Sequence, residues 1–226
     1  MQILVIDIGG TNIKVLASGQ TEVRKFPSGK TMTPDCMVKG VKEIAGDWQY
    51  EAVSVGYPGP VARGKPRNEP WNLAPGWIGF DFERAFGKPV KLINDAAMQA
   101  LGSYEGGKML FLGLGTGLGS ALIYDGVLEP LELAHLPYKK NRTFEDYLGV
   151  RGLDKRGPKK WRAAVEDVVD RLIAAFEVDY VVLGGGNARK LLRPPTGARL
   201  GANNNAFVGG FRLWEPRNPN GDTATV

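Results

Sequence analysis

The sequence has one cysteine, Cys36, and one histidine, His135. A disulfide within the chain needs two cysteines, and a metal cage of several Cys or His ligands needs more of both, so both are excluded by counting. No apolar stretch reaches the ~18 residues that a membrane-crossing helix needs. The first residues, MQILVIDIGG, lack a basic segment and turn glycine-rich at once. They do not read as a secretory signal, and a cytoplasmic protein without a membrane partner is expected. Charge of one sign is scarce as well: 29 Lys and Arg stand against 24 Asp and Glu, a net +5. The densest basic stretch runs from Lys155 to Arg162. It reads either as a solvated face or as a surface that attracts a polyanion. Glycine is the exception to this scarcity. There are 31 in 226 residues, without a G-x-y period, so they are expected in working loops.

The length suits one large domain or two small ones. Apolar residues make up 43% and charged residues 23%, which excludes a disordered chain. Short β-rich runs at 3–8, 13–17 and 21–26 predict an antiparallel meander, with GGTN in its first turn. Helical spacing covers 37–45, a strand 52–57, a strand 90–93, and a helix 96–104 with Asp95 placed to cap it. The order then restarts. Strands at 109–114 and 120–124 flank GTGLG, a long helix covers 161–176 with an apolar stripe, and a strand at 180–183 runs into Gly184-Gly185-Gly186. Two similar α/β units are expected, residues 1–106 and 107–226, with a cleft between them. The polar tail after Trp214 is expected to fray.

Several motifs fail. Gly29-Lys30-Thr31 resembles the end of a P-loop, but position 24 is Arg rather than Gly. Residues 113–119 read G-x-G-x-G-x-G and run into a strand, so the dinucleotide fingerprint is missing in spacing and context. Glu132 and His135 form one E-x-x-H, without a second His for a dinuclear site. What remains is stronger. Asp7-Ile8-Gly9-Gly10-Thr11-Asn12-Ile13-Lys14 puts consecutive glycines in a strand turn, where backbone N–H groups can converge on an anion. Asp7 at the end of that strand suits a hydrated Mg²⁺, bound through water beside phosphates. Gly115-Thr116-Gly117 repeats the glycine–hydroxyl turn. Asn94-Asp95 ends a strand, where α/β folds place ligands; it also reads as a helix cap, and both can hold. Gly184-Gly185-Gly186-Asn187 permits close approach of a ligand or a helix.

Taken together, DIGGTNIK, VGYPGPV, NLAPGW, NDAAMQALG, GLGTGLGSAL, ELAH and VVLGGGN occur in the order of the ROK sugar kinases. The chain resembles that family from Ile3 to about Trp214. The resemblance implies an α/β fold of two ribonuclease-H-like (actin-like ATPase) domains that close on a sugar and a phosphoryl donor. By matching positions, it implies Asp95 as catalytic base and Asn94, Gly59, Asn72, Glu132 and His135 at the sugar. It implies Gly9, Gly10 and Thr11 with Gly115, Thr116 and Gly117 at the phosphates, and Gly184 and Gly185 on the nucleotide side; from the first motif itself, Asn12 and Lys14 are expected at the phosphates as well. Position 134 is Ala where the family usually has Gly. The family's cysteine-rich zinc motif is missing, so no zinc is implied. No winged-helix segment precedes Ile3, and no nucleic-acid partner is expected.

The expected activity is transfer of a phosphoryl group from ATP or polyphosphate to the 6-hydroxyl of a hexose, glucose first, with Mg²⁺ as cofactor. In size and in LPYKKNRTFEDYLG the chain looks more like the polyphosphate/ATP glucokinases, and the family resemblance implies a homodimer. Phosphoryl transfer needs positioning and charge neutralisation more than covalent catalysis, and a carboxylate ionised at neutral pH can accept the hydroxyl proton. The alternatives are a polyphosphate-specific glucokinase or mannokinase, a non-catalytic sugar-responsive regulator, and a hydrolase of polyphosphate or nucleotide.

Overall fold

The computed structural model describes residues 1–202 and 204–216. The elements in chain order are β1 (Ile3–Ile8), β2 (Asn12–Ala17), β3 (Arg24–Pro27), α1 (Pro34–Ile44), β4 (Ala52–Tyr57), β5 (Val61–Ala62), β6 (Lys65–Pro66), α2 (Phe82–Phe86), β7 (Val90–Asn94) and α3 (Asp95–Ser103). Then come β8 (Lys108–Leu114), β9 (Leu118–Tyr124), β10 (Val127–Leu131), α4 (Phe144–Leu148), α5 (Val150–Phe176), β11 (Tyr180–Gly184), β12 (Ala198–Leu200) and α6 (Asn205–Arg212). Short 3-10 turns cover Leu133–His135 and Ala188–Lys190.

The chain divides into two compact units. The first holds Met1–Met98 and Ala206–Glu215, and the second holds Gln99–Asn205. The boundary therefore falls inside α3 rather than at 106, and the chain returns to the first unit at Ala206–Glu215. Side chains far apart in sequence cause that return. Ser54, fully buried in β4, donates its hydroxyl to Gly210 O at 2.6 Å and accepts Trp214 Nε1–H at 2.9 Å. A Cβ on Gly210 would lie 2.3 Å from Val5 Cγ1, so only glycine lets α6 lie this close to β1.

The two units repeat one topology. The first sheet runs β3-β2-β1-β4-β7 and the second β10-β9-β8-β11-β12. In each, a hairpin pair and a third strand are antiparallel, and two further strands join in parallel. This is the mixed sheet expected of an actin-like fold. β1 (ILVIDI) and β4 (AVSVGY) are apolar apart from Asp7 and Ser54, because the parallel part of a sheet is covered on both faces.

Each unit has its own core. In the first, β1, β2, β4 and β7 pack on Met37, Val38 and Val41 of α1 and on Trp77 and Phe82. In the second, β8, β9 and β11 pack on Trp161, Val165, Val168 and Leu172 of α5. Residues 150–176 form one helical run broken at Gly157 (φ 73°), and Pro158 starts the longer piece. The expectation of a helix from Trp161 thus caught the buried stripe and missed the turns before it. The membrane expectation concerns the described residues, among which no helix is long and apolar enough to cross a membrane. The expected fraying beyond residue 216 lies outside the described residues.

Candidate functional site

In the first unit the pairing register aligns the carboxyl ends of three parallel strands. Asp7 of β1 stands opposite Gly56 of β4, Gly56 stands opposite Ile93 of β7, and Tyr57 stands opposite Asn94. Sheets of this kind bind ligands at that edge. Asp95 follows as the first residue of α3, where the helix N-terminus favours negative charge. A Cβ on Gly56 would sit 2.3 Å from Met98 Cε and 3.6 Å from Asp95 Cα. Glycine at 56 therefore lets the start of α3 settle on β4, and this fixes where Asp95 stands.

The capping role moves by one residue. Asn94, not Asp95, caps α3: its Oδ1 accepts Ala97 N–H at 3.0 Å, and its Nδ2 donates to Gly59 O at 3.1 Å. Asn94 thereby ties the helix start to the PGP loop. Asp95 Oδ1 accepts the adjacent Ala96 N–H at 2.8 Å.

The first glycine turn is fixed by its own backbone. Gly9 N–H donates to Asn12 O at 3.0 Å, Ser28 N–H to Thr11 O at 2.9 Å and Ser28 Oγ to Gly9 O at 2.6 Å. Among the described residues nothing accepts from the N–H groups of Gly10 and Thr11. They are spare donors on a rigid turn. Asn72 reaches the same turn, because a Cβ on Gly10 would lie 3.3 Å from Asn72 Cβ. Asp7 is paired across the hairpin with Lys14, at 3.7 Å. Burial pushes the Asp7 carboxyl above its ordinary range, and Lys14 offsets only part of that shift.

Glu69 anchors the loop that carries Asn72. Its carboxylate accepts the N–H groups of Gly76 (3.1 Å), Trp77 (3.0 Å) and Ile78 (3.3 Å). Desolvation pulls its pKa up, but these three bonds outweigh it and hold the group below its ordinary value. A depressed acid stabilises the fold above its unfolded pKa and loses that contribution as pH falls through the folded value. Glu69→Gln is therefore expected to lower stability at pH 7 and to show a smaller deficit at pH 3. Urea titrations at the two pH values check this, and an equal deficit at both would refute it.

In the second unit three segments interlock around the second glycine turn. Gly115 N–H bonds to Gly113 O and Gly117 O, both at 3.1 Å, and Val150 N–H, at the start of α5, bonds to Gly115 O and Thr116 O. Asn187 donates its N–H to Leu114 O at 2.9 Å and its Nδ2 to Gly115 O at 3.0 Å. The structure thus brings Gly184-Gly185-Gly186-Asn187 onto the turn at 115–117. Thr116 and Gly117 keep N–H groups without an acceptor among the described residues.

Gly185 (φ 82°) has no room for a side chain: a Cβ would lie 2.5–2.8 Å from backbone atoms of Leu114. Gly185→Ala is expected to cost roughly 2–4 kcal/mol, a Tm drop of about 5–10 °C. Gly186→Ala, built into open space, should melt within about 2 °C of the parent. Equal melting temperatures for the two variants would contradict the close packing.

Glu145 escaped the sequence reading. Its Oε2 accepts Leu118 N–H at 3.3 Å, and its carboxylate abuts Gly117. Its other oxygen pairs with Arg151 at 3.3 Å. The carboxylate takes up the Leu118 amide beside the turn, and those of Thr116 and Gly117 keep no acceptor among the described residues. A capping box from Thr143 and Asp146 announces the helix that carries Glu145, but nothing in the sequence ties residue 145 to 117.

Glu132 precedes the 3-10 turn that follows β10, His135 ends it, and both are exposed. Ser120 holds the front of this element, donating to Leu131 O at 2.8 Å and accepting Leu133 N–H at 3.1 Å. Of the basic segment, Lys155, Lys159 and Lys160 are exposed. Arg162 donates to Lys190 O at 3.1 Å and lines a hollow of about 180 Å³ with Leu191, Leu192 and Arg193. Among the described residues no three His, Cys, Asp or Glu side chains group as a metal cage. The half-buried carboxylate at the first turn, Asp7, fits an ion that keeps most of its water and shares ligand oxygens, as Mg²⁺ does.

The model of the ROK family matches residues 3–129. The chain belongs to the ROK family. Among its relatives, the polyphosphate glucokinase of Mycobacterium tuberculosis is 29% identical over 206 residues, covering 82% of this chain and 77% of the relative. The polyphosphate glucokinase of Mycobacterium leprae is 31% identical, covering 82% and 63%. Among solved structures, the inorganic polyphosphate/ATP-glucomannokinase of an Arthrobacter species superposes with a TM-score of 0.78 at 26% identity, covering 92% of this chain and 96% of that one. A ROK family glucokinase of Streptomyces griseus, in complex with glucose and AMPPNP, superposes at 0.73 with 16% identity, covering 94% and 99%, a likeness of fold.

Proposed function

We propose that this ROK protein is a hexose kinase that transfers a phosphoryl group from polyphosphate or ATP to the 6-hydroxyl of glucose. The observation that carries the reading is the alignment of Asp7, Gly56 and Asn94-Asp95 at the carboxyl ends of three adjacent strands, beside a glycine turn with spare N–H groups. The named relatives, polyphosphate glucokinases and a polyphosphate/ATP-glucomannokinase, support the acceptor and the donor.

In this reading Asp95 accepts the proton of the sugar hydroxyl as its oxygen bonds to phosphorus, and the donor leaves with the electron pair of the broken P–O bond. Asn94 fixes the start of α3, so the carboxylate is held still while it accepts. Asn72, Glu132 and His135 hold ring hydroxyls. The N–H groups of Gly10, Thr11, Thr116 and Gly117 take phosphate oxygens, as donors on rigid turns that need no reorganisation. Asp7 would hold Mg²⁺ through water, and the ion, when bound, neutralises phosphate charge. The Asn187-Gly115 junction keeps the donor-side turn in shape. A sugar panel assayed with ATP and with polyphosphate tests the whole reading. Glucose 6-phosphate formed from at least one donor is expected; phosphate release without a sugar product would overturn it.

A further inference from the structure

Between the 3-10 turn and α4 the chain makes a short hairpin. Tyr138 N–H donates to Arg142 O at 2.7 Å, Phe144 N–H donates to Leu136 O at 3.0 Å, and Pro137 pairs with Thr143. Lys140 and Asn141 turn its tip with positive φ, and Lys139, Lys140 and Arg142 there are all exposed. A two-stranded ribbon is marginal alone, and like charges at its tip weaken it further. Asp167, on α5, fastens it. The Asp167 carboxylate accepts the Tyr138 hydroxyl, Lys139 Nζ at 3.0 Å and Arg171 Nε at 3.0 Å. The Tyr138 ring lies 5.4 Å from Phe144 and meets Tyr147 edge-on at 4.7 Å.

The root of this hairpin is the residue after His135. Leu136 N–H closes the 3-10 turn on Leu133 O at 3.1 Å, and Leu136 O takes the Phe144 N–H. Ser120 grips the element from the front, while behind it the hairpin is the grip. Slack in the hairpin therefore reaches His135 directly.

We propose that Tyr138 and Asp167 form a clasp that positions the Glu132–His135 element, which makes them positioning residues for acceptor affinity. The inference rests on the reading of Glu132 and His135 as sugar contacts. A hydroxyl on a carboxylate is a charge-assisted bond, stronger than a neutral one, and a small misplacement of a substrate-holding group has a large kinetic effect.

The test uses the full chain with Tyr138→Phe, Asp167→Asn, the double variant and His135→Ala. Glucose and donor are varied separately. Tyr138→Phe keeps the ring packing, so the fold is retained. Each single clasp variant should raise the glucose KM about threefold to tenfold, with kcat and donor KM within about twofold, and the double should be no worse than the weaker single. Unchanged glucose KM in both single variants, with His135→Ala raising it, overturns the clasp and leaves the sugar reading standing. Parallel changes in kcat and donor KM also overturn it, because they mean general loosening. An unchanged KM in His135→Ala removes His135 from the sugar, and the clasp inference falls with it.

Discussion

Asp95→Asn is expected to lower kcat by about 10³-fold or more while the protein stays folded. A general base contributes roughly 10²–10⁴ to a rate, and its amide cannot take the proton. The change removes a charge at nearly constant shape. Asn is nearly isosteric, its Oδ1 can still accept the Ala96 N–H, and Asn94 keeps the cap of α3. The glucose KM should move little, since the loss is in the transition state. Steady-state kinetics beside a thermal melt separate these effects. A folded variant with near-parental turnover would remove Asp95 from the chemistry.

Asp7→Asn should move activity and stability in opposite directions. Turnover is expected to fall about 10²-fold, since the carboxylate beside the first glycine turn is lost to the metal and phosphates. Stability should rise, with Tm up by about 2–4 °C. The sign follows from its raised pKa. In the window between the ordinary aspartate value and the raised folded value, the folded state binds more protons than the unfolded one. Stability therefore falls as pH rises through that window, and the deficit persists at pH 7. A neutral amide has no such deficit. Lys14 loses its partner, but it is nearly half exposed and water can solvate it. A variant that is both less stable and fully active would refute the placement of Asp7 as a half-buried carboxylate held for function.

Much of the molecule was legible from local patterns. β1 and β4 were found at their observed ends because six-residue, mostly apolar runs that end at Gly9 and at Pro58 admit few other readings. The glycine turns were visible for the same reason. Short elements were missed. α2 spans five residues and β12 three, too few for a periodicity to emerge. The cap of α3 was misplaced by one residue because Asn and Asp cap equally well and stand side by side. The choice went to the one whose side chain also reaches Gly59 O.

The sequence by itself determined the order of strands and turns, the carboxylates at strand ends and the family resemblance that the chain's ROK membership bears out. These depend on neighbours a few residues apart and on the limits that glycine and proline set on φ. Tertiary structure alone decided the rest. It placed Gly184–Asn187 on the turn at 115–117, Glu145 against Leu118, Asp167 under Tyr138 and α6 on β4. These contacts join residues 27 to 156 positions apart. The physical reason is that each depends on which surfaces two buried faces can share, and no local pattern records that choice.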